Sequence, residues 1–68
     1  MQITYNVKTD LIYIRLDERK QDIVNRRASE DVVFDIGDDN RIVGIEILDA
    51  SKHLNLESLL PVKYQVSP

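Results

Sequence analysis

Between Arg41 and Leu48 the chain reads RIVGIEIL, and this stretch constrains the fold more than any other. Successive side chains of an extended strand point to opposite faces. Val43, Ile45 and Ile47 therefore share one face, and Ile42, Gly44, Glu46 and Leu48 share the other, which is only partly polar. The segment follows an acidic turn, Gly37-Asp38-Asp39-Asn40, and runs into Asp49-Ala50-Ser51, a sequence suited to starting a helix. Nothing in it looks chemical. Architecture is legible here, whereas activity is not.

A chain of 68 residues makes one domain at most. Domains this short bury only about 60% of the surface their unfolded chains expose, so a lone core is marginal. Disulfides, a metal or a partner are the usual aids. There is no cysteine, which excludes disulfides and thiolate metal sites, and His53 alone cannot build a histidine-rich one. Association is the remaining aid. A hydrophobic fraction of 43% with 31% charged residues belongs to a chain that folds. No apolar run is long enough to cross a bilayer. The N-terminus, MQITYNVKTD, has neither a basic region nor a continuous apolar one and reads as a first strand rather than a signal peptide, so a cytoplasmic location is the default expectation. With a net charge of -3 and a pI near 4.9, the chain is not attracted in bulk to nucleic acid or anionic membrane, and a basic protein partner suits it better.

Gln2 to Asn6 alternates as a half-buried strand, with Ile3 and Tyr5 on one face. Val7 to Asp10 supplies a turn, and Leu11 to Leu16 (LIYIRL) follows as a second strand, pairing with the first in a hairpin. Both its faces are apolar, which predicts a central position with cover on each side. Asp17 to Asp22 is a solvated connection. Ile23 to Ser29 is more polar and is expected as an edge or bent strand with Val24 pointing inward. Asp31 to Ile36 alternates again, placing Val32, Phe34 and Ile36 together, and the turn at 37–40 joins it to Arg41–Leu48 as a second hairpin; Gly and Asn there tolerate positive φ. Asp49 or Ser51 is a candidate helix cap and Asn55 a second one, with Glu57 suited to a positive helix start. Leu54, Leu56, Leu59 and Leu60 supply an apolar stripe, and Pro61 stops the helix near Leu60.

Each set of reactive side chains has a plainer explanation. Asp49, Ser51 and His53 invite comparison with a catalytic triad, yet helical residues two apart point to different sides, so Ser51 and His53 do not face each other. Asp35, Asp38, Asp39, Asn40 and Glu46 resemble a calcium loop in which Glu46 falls at position 12 if Asp35 is position 1. Gly37 then stands where a ligand is needed, Asn40 replaces the turn glycine, and strands rather than helices flank it. Asp17-Glu18 and Glu30-Asp31 are neighbours that diverge, not carboxyls converging in a cleft. Alternation sends Arg26 and Arg27 to opposite faces, and no basic stripe or aromatic platform for bases accompanies them. With only Gly37 and Gly44, there is no phosphate loop.

Ile3-Thr4-Tyr5, LIYIRL at 11–16, Val33-Phe34-Asp35-Ile36 and above all Ile42-Val43-Gly44-Ile45-Glu46-Ile47-Leu48-Asp49-Ala50-Ser51 resemble a family of short bacterial proteins, the domain-of-unknown-function family 2283. This chain departs from the family pattern at Asn40, where Gly is usual; the tail after Ser51 carries no matching motif. The resemblance implies a small sheet-plus-helix fold and no assigned activity, catalytic set or cofactor. Proximity of some members to toxin-like genes implies an antitoxin-like role, a functional hint that fold alone does not supply.

The expectation is therefore an α+β domain over residues 1–60, a small antiparallel β-sheet of two hairpins with one short C-terminal helix, followed by a tail or added strand over 61–68. It is expected to act as a non-enzymatic interaction module that forms a homodimer or takes a basic protein partner, an antitoxin-like role included. It is not expected to bind nucleic acid by itself or a membrane. No catalytic, cofactor-binding or metal-ligating residue is assigned. The rival expectation is a small-ligand protein or enzyme whose site forms at a dimer interface from Asp35, Glu46, Asp49 and His53.

Overall fold

A computed structural model describes residues 1–59, and the tail expected over 61–68, like the end of the helix at Leu60, lies outside the described residues. Five strands form one antiparallel sheet: β1 (Gln2–Asn6), β2 (Leu11–Arg15), β3 (Val24–Arg27), β4 (Val32–Ile36) and β5 (Ile42–Ile47), in the spatial order β1-β2-β5-β4-β3. The two expected hairpins are present as the β1–β2 and β4–β5 pairs. The β2–β5 pair joins them into one sheet, and β3 adds to β4 at the far edge. The sheet's middle strand is therefore β5, not β2. β2 is interior but lies next to the β1 edge, and its outward face carries Leu11, Tyr13 and Arg15 rather than a second core.

The register sorts the two faces. Ile3, Ile14, Ile45, Phe34 and Arg26 lie side by side across the sheet, and Tyr5, Ile12, Ile47 and Val32 form the neighbouring row. These rows share one face, as the alternation of each strand requires. Among the described residues only Ile12 (2% exposed), Val43 and Ala50 are fully buried hydrophobic residues; Ile3, Ile14, Phe34, Ile45 and Ile47 are half-buried. Val24, expected to point inward, is 63% exposed. It belongs to an edge strand in which every residue is exposed, and no described layer covers that end of the sheet. Arg26 and Arg27 do take opposite faces, opposite Phe34 and Val33 respectively.

Two local irregularities shape the sheet. Asp35 pairs with Gly44 and Ile36 with Ile42, so Val43 is the extra residue of a β-bulge. The Val43 carbonyl accepts hydrogen bonds from the amides of Leu16 and Asp17, tying the end of β2 to it. At the turn, Asp39 (φ 58°) and Asn40 (φ 60°) take the left-handed conformation that Asp and Asn tolerate. Gly37, in contrast, is extended; a Cβ there would meet the Gln21 side chain at 2.1 Å and Val43 at 2.8 Å. Its role is to let the connection pass closely, with Gln21 Oε1 accepting from the Asp38 amide at 2.7 Å.

The C-terminal helix, α1, covers only Ala50–His53. Leu54 is extended and breaks the helix expected to run toward Leu60. Asn55 then caps a separate 3-10 turn at Leu56–Leu59, its Oδ1 accepting from the Glu57 amide at 3.1 Å. Among the described residues no helix is long and apolar enough to cross a membrane.

Candidate functional site

The face of the sheet opposite the isoleucine rows holds a polar network that spans four strands. Thr4, Tyr13, Glu46, Val33 and Arg27 form one row across it, and Gln2, Arg15, Gly44, Asp35 and Asn25 form the next. Tyr13 leans across Gly44, and its hydroxyl donates to Asp35 Oδ2 at 2.8 Å. A side chain on Gly44 would place a Cβ 2.2 Å from that hydroxyl, so the glycine is required by the crossing rather than by its own backbone. The Asn25 amide donates to Asp35 Oδ1 from the other side. Asp35 is only 6% exposed, and these donors satisfy a carboxylate that burial would otherwise penalise.

Glu46 stands on the neighbouring strand on the same face, and burial together with the adjacent Asp35 carboxyl pushes the Glu46 carboxyl above its ordinary range. Burial and the Asp35 carboxylate likewise raise the Tyr13 phenol, keeping it an O–H donor. The Arg15 guanidinium lies over the Tyr13 ring, 5.3 Å from its centre. Chemically, the network can position a proton donor beside an ionised carboxylate on an open surface.

A second cluster is structural. Asp10, itself left-handed at φ 54°, accepts from the Ser51 hydroxyl (2.6 Å), the Ser51 amide (3.1 Å) and the Tyr5 hydroxyl (2.7 Å). Its backbone carbonyl accepts from the Ala50 amide at 2.9 Å. The Ser51 and Tyr5 hydrogen bonds hold the Asp10 carboxyl below its ordinary range. The cap of α1 therefore comes from the first hairpin turn, whereas Asp49 precedes the helix in a left-handed conformation with no side-chain capping bond.

The triad comparison fails as its geometry requires. Ser51 binds Asp10, His53 Nε2 lies 2.8 Å from Asp31 Oδ2, and Asp49 faces Lys52 at 4.0 Å. In the calcium-like set, Asp35 and Glu46 do meet, but Asp38, Asp39 and Asn40 stay exposed in the turn. Among the described residues no group of three His, Asp or Glu is placed to hold a metal ion. Asp17 is held by Arg19 at 2.7 Å and approached by Arg41 at 3.7 Å, and the Arg19 hydrogen bonds depress its carboxyl strongly. Of the rival set, the structure joins Asp35 to Glu46 and gives Asp49 and His53 other partners. Sequence reasoning missed Tyr13 and Asn25. The available signal was the register itself, which puts Tyr13 and Asp35 on the two strands that flank the only strand glycine.

The family model described as "Protein of unknown function (DUF2283)" matches residues 2–51, and the chain belongs to that family. No curated protein and no solved structure matches it. The matched region takes in all five strands and both clusters and ends at Ser51, the residue that Asp10 anchors.

Proposed function

We propose that this DUF2283 protein is a non-enzymatic interaction module that associates with a second copy of itself through the apolar face of its sheet. The observation that carries the reading is the incomplete burial of that face. Ile3, Ile14, Ile45 and Phe34 run uninterrupted across four strands, yet each is only half-buried. A single turn of helix and two short 3-10 turns are the only other regular elements described. A second copy fits because the row is uncharged until Arg26 at its edge, so a two-fold axis brings apolar surface against apolar surface without opposing like charges. Small chains without disulfides gain most from such association.

Light scattering at micromolar concentration tests this directly. A mass of twice 7.9 kDa is expected, and Ile3→Lys, at the sheet edge, should halve it while strand circular dichroism persists. A stable 7.9 kDa species throughout would overturn the proposal. Acidity extends the reading: with a net charge of -3, a basic protein is the heterologous partner that charge would steer in, as in an antitoxin-like pairing with a small basic toxin. Affinity purification from the native host should then yield a stoichiometric basic protein.

The Asp35–Glu46 carboxyl pair favours a second reading, a small-ligand or catalytic site on the polar face, now without Asp49 and His53. A co-purifying small molecule lost on Asp35→Asn would favour it over the first.

A further inference from the structure

We propose that the polar face binds a small free oxyanion, a carboxylate or phosphate, in the cavity between β1 and β2, with Arg15 as its charged partner. The cavity has a volume of about 210 Å³ and is lined by Gln2, Thr4, Tyr13 and Arg15. These four lie in two directly paired positions, Gln2 opposite Arg15 and Thr4 opposite Tyr13, so their side chains rise from one patch of one face. The volume is below the roughly 300 Å³ at which pockets for drug-sized ligands begin, which suits a compact acidic group.

Arg15 is the reason for choosing an anion. Three other arginines are committed, since Arg19 and Arg41 approach Asp17 and Arg27 donates to the Glu30 carbonyl, while Arg26 lies on the opposite face. Arg15 makes no ion pair or hydrogen bond through its side chain among the described residues, although it is half-buried. The Tyr13 ring occupies one face of its guanidinium, which orients the group and leaves its N–H edge available. A planar fork of donors held in one orientation matches the two oxygens of a carboxylate or phosphate and loses little entropy on binding. The Gln2 amide and the Thr4 hydroxyl are likewise without side-chain partners and can complete the oxyanion's hydrogen bonds. Nearby acids limit the affinity without cancelling it. Asp35 receives two hydrogen bonds, from the Tyr13 hydroxyl and the Asn25 amide, so the carboxylate beside Tyr13 is already engaged. Binding in the millimolar range that weakens with salt follows. This inference is independent of the association proposed above, which uses the opposite face.

Amide chemical-shift titration of the full chain with inorganic phosphate and, in parallel, with acetate tests the proposal, with sodium chloride as the ionic-strength control. Saturable shifts are expected at Gln2–Thr4 and Tyr13–Arg15 with one or both oxyanions; which one responds tells phosphate from carboxylate. Arg15→Gln should weaken binding about tenfold or more, the loss of a charge-assisted pair. Arg15→Lys keeps the charge but loses the fork, so it should weaken binding severalfold and serves as the test if Arg15→Gln disturbs folding. Arg26→Gln, on the other face, should leave binding unchanged. Shifts no larger than those with chloride, or binding that survives both Arg15 variants, would overturn the proposal.

Discussion

Gly44→Ala puts the whole polar network to the test with one methyl group. The added Cβ would stand 2.2 Å from the Tyr13 hydroxyl oxygen, 2.7 Å from Cζ and 3.1 Å from Cε1, so the ring must move. Moving it breaks the 2.8 Å hydrogen bond to Asp35 and leaves a carboxylate that is 6% exposed with one donor fewer. A hydrogen bond to a charged group contributes about 1.5–3 kcal/mol. Against this, alanine relieves the roughly 0.5–1 kcal/mol that glycine costs inside a strand. The net loss is then about 1–2 kcal/mol, a large share of the ~5 kcal/mol expected of so small a domain. Urea denaturation followed by circular dichroism measures it. The decisive comparison is the same substitution in a Tyr13→Thr background, where no ring crosses the glycine. There Gly44→Ala should become neutral or stabilising, giving a coupling of at least ~1 kcal/mol in the cycle. Equal costs in both backgrounds would refute the claim that Gly44 exists to let Tyr13 reach Asp35.

Three further outcomes are expected. Ile12→Ala, at the most buried side chain, should cost about 3–4 kcal/mol in the same melts, whereas half-buried Ile45→Ala should cost nearer 2 kcal/mol in the monomeric state; the reverse order would mean that Ile45 is sealed by something the sheet itself lacks. Asp39→Gly should stabilise slightly because Asp39 is left-handed at φ 58°, while Asp39→Ala should cost about 1 kcal/mol, and thermal melts that rank the two oppositely would contradict the turn geometry. Glu46 holds its proton more tightly when folded than unfolded, so its contribution to stability falls as pH rises from the ordinary carboxylate range through the raised folded value. Glu46→Gln should therefore raise the melting temperature at pH 7 and flatten that decline; a variant less stable than its parent at pH 7 would show that the ionised form is the one the fold prefers.

How much of this was legible in the sequence depends on the range of the interactions. Strand alternation is local, and it located each of the five described strands and the β1–β2 and β4–β5 hairpins, though not the β3–β4 pairing, because a period of two is fixed by the backbone whatever the strand's neighbours. Position within the sheet is not local. LIYIRL looked central because both its faces are apolar, yet Leu11 and Tyr13 face the polar side, where Tyr13 uses its hydroxyl as much as its ring. Val24 looked inward because it is the apolar residue in a polar strand, but an edge strand beyond the covered area has no interior to face. Sequence alone points to a helix cap within three residues of the helix, the usual distance. It came from Asp10, forty-one positions before Ser51.

The candidate site shows the same division in sharper form. Asp35 and Glu46 attracted notice for a spacing that suits a calcium loop, and they do meet, but for a different reason: adjacent strands in register place them on one face. Their true partners, Tyr13 and Asn25, come from strands that reach them only through the β2–β5 and β3–β4 pairings. No spacing rule within one segment can find such a set. Gly44 is the residue through which it could have been found, since a glycine inside a strand implies that something passes close above it. With Tyr13 across from Glu46 and beside Gly44, its ring crosses the glycine and its hydroxyl reaches Asp35 on the far side. The glycine in the most recognisable segment of the chain therefore marks the network's centre.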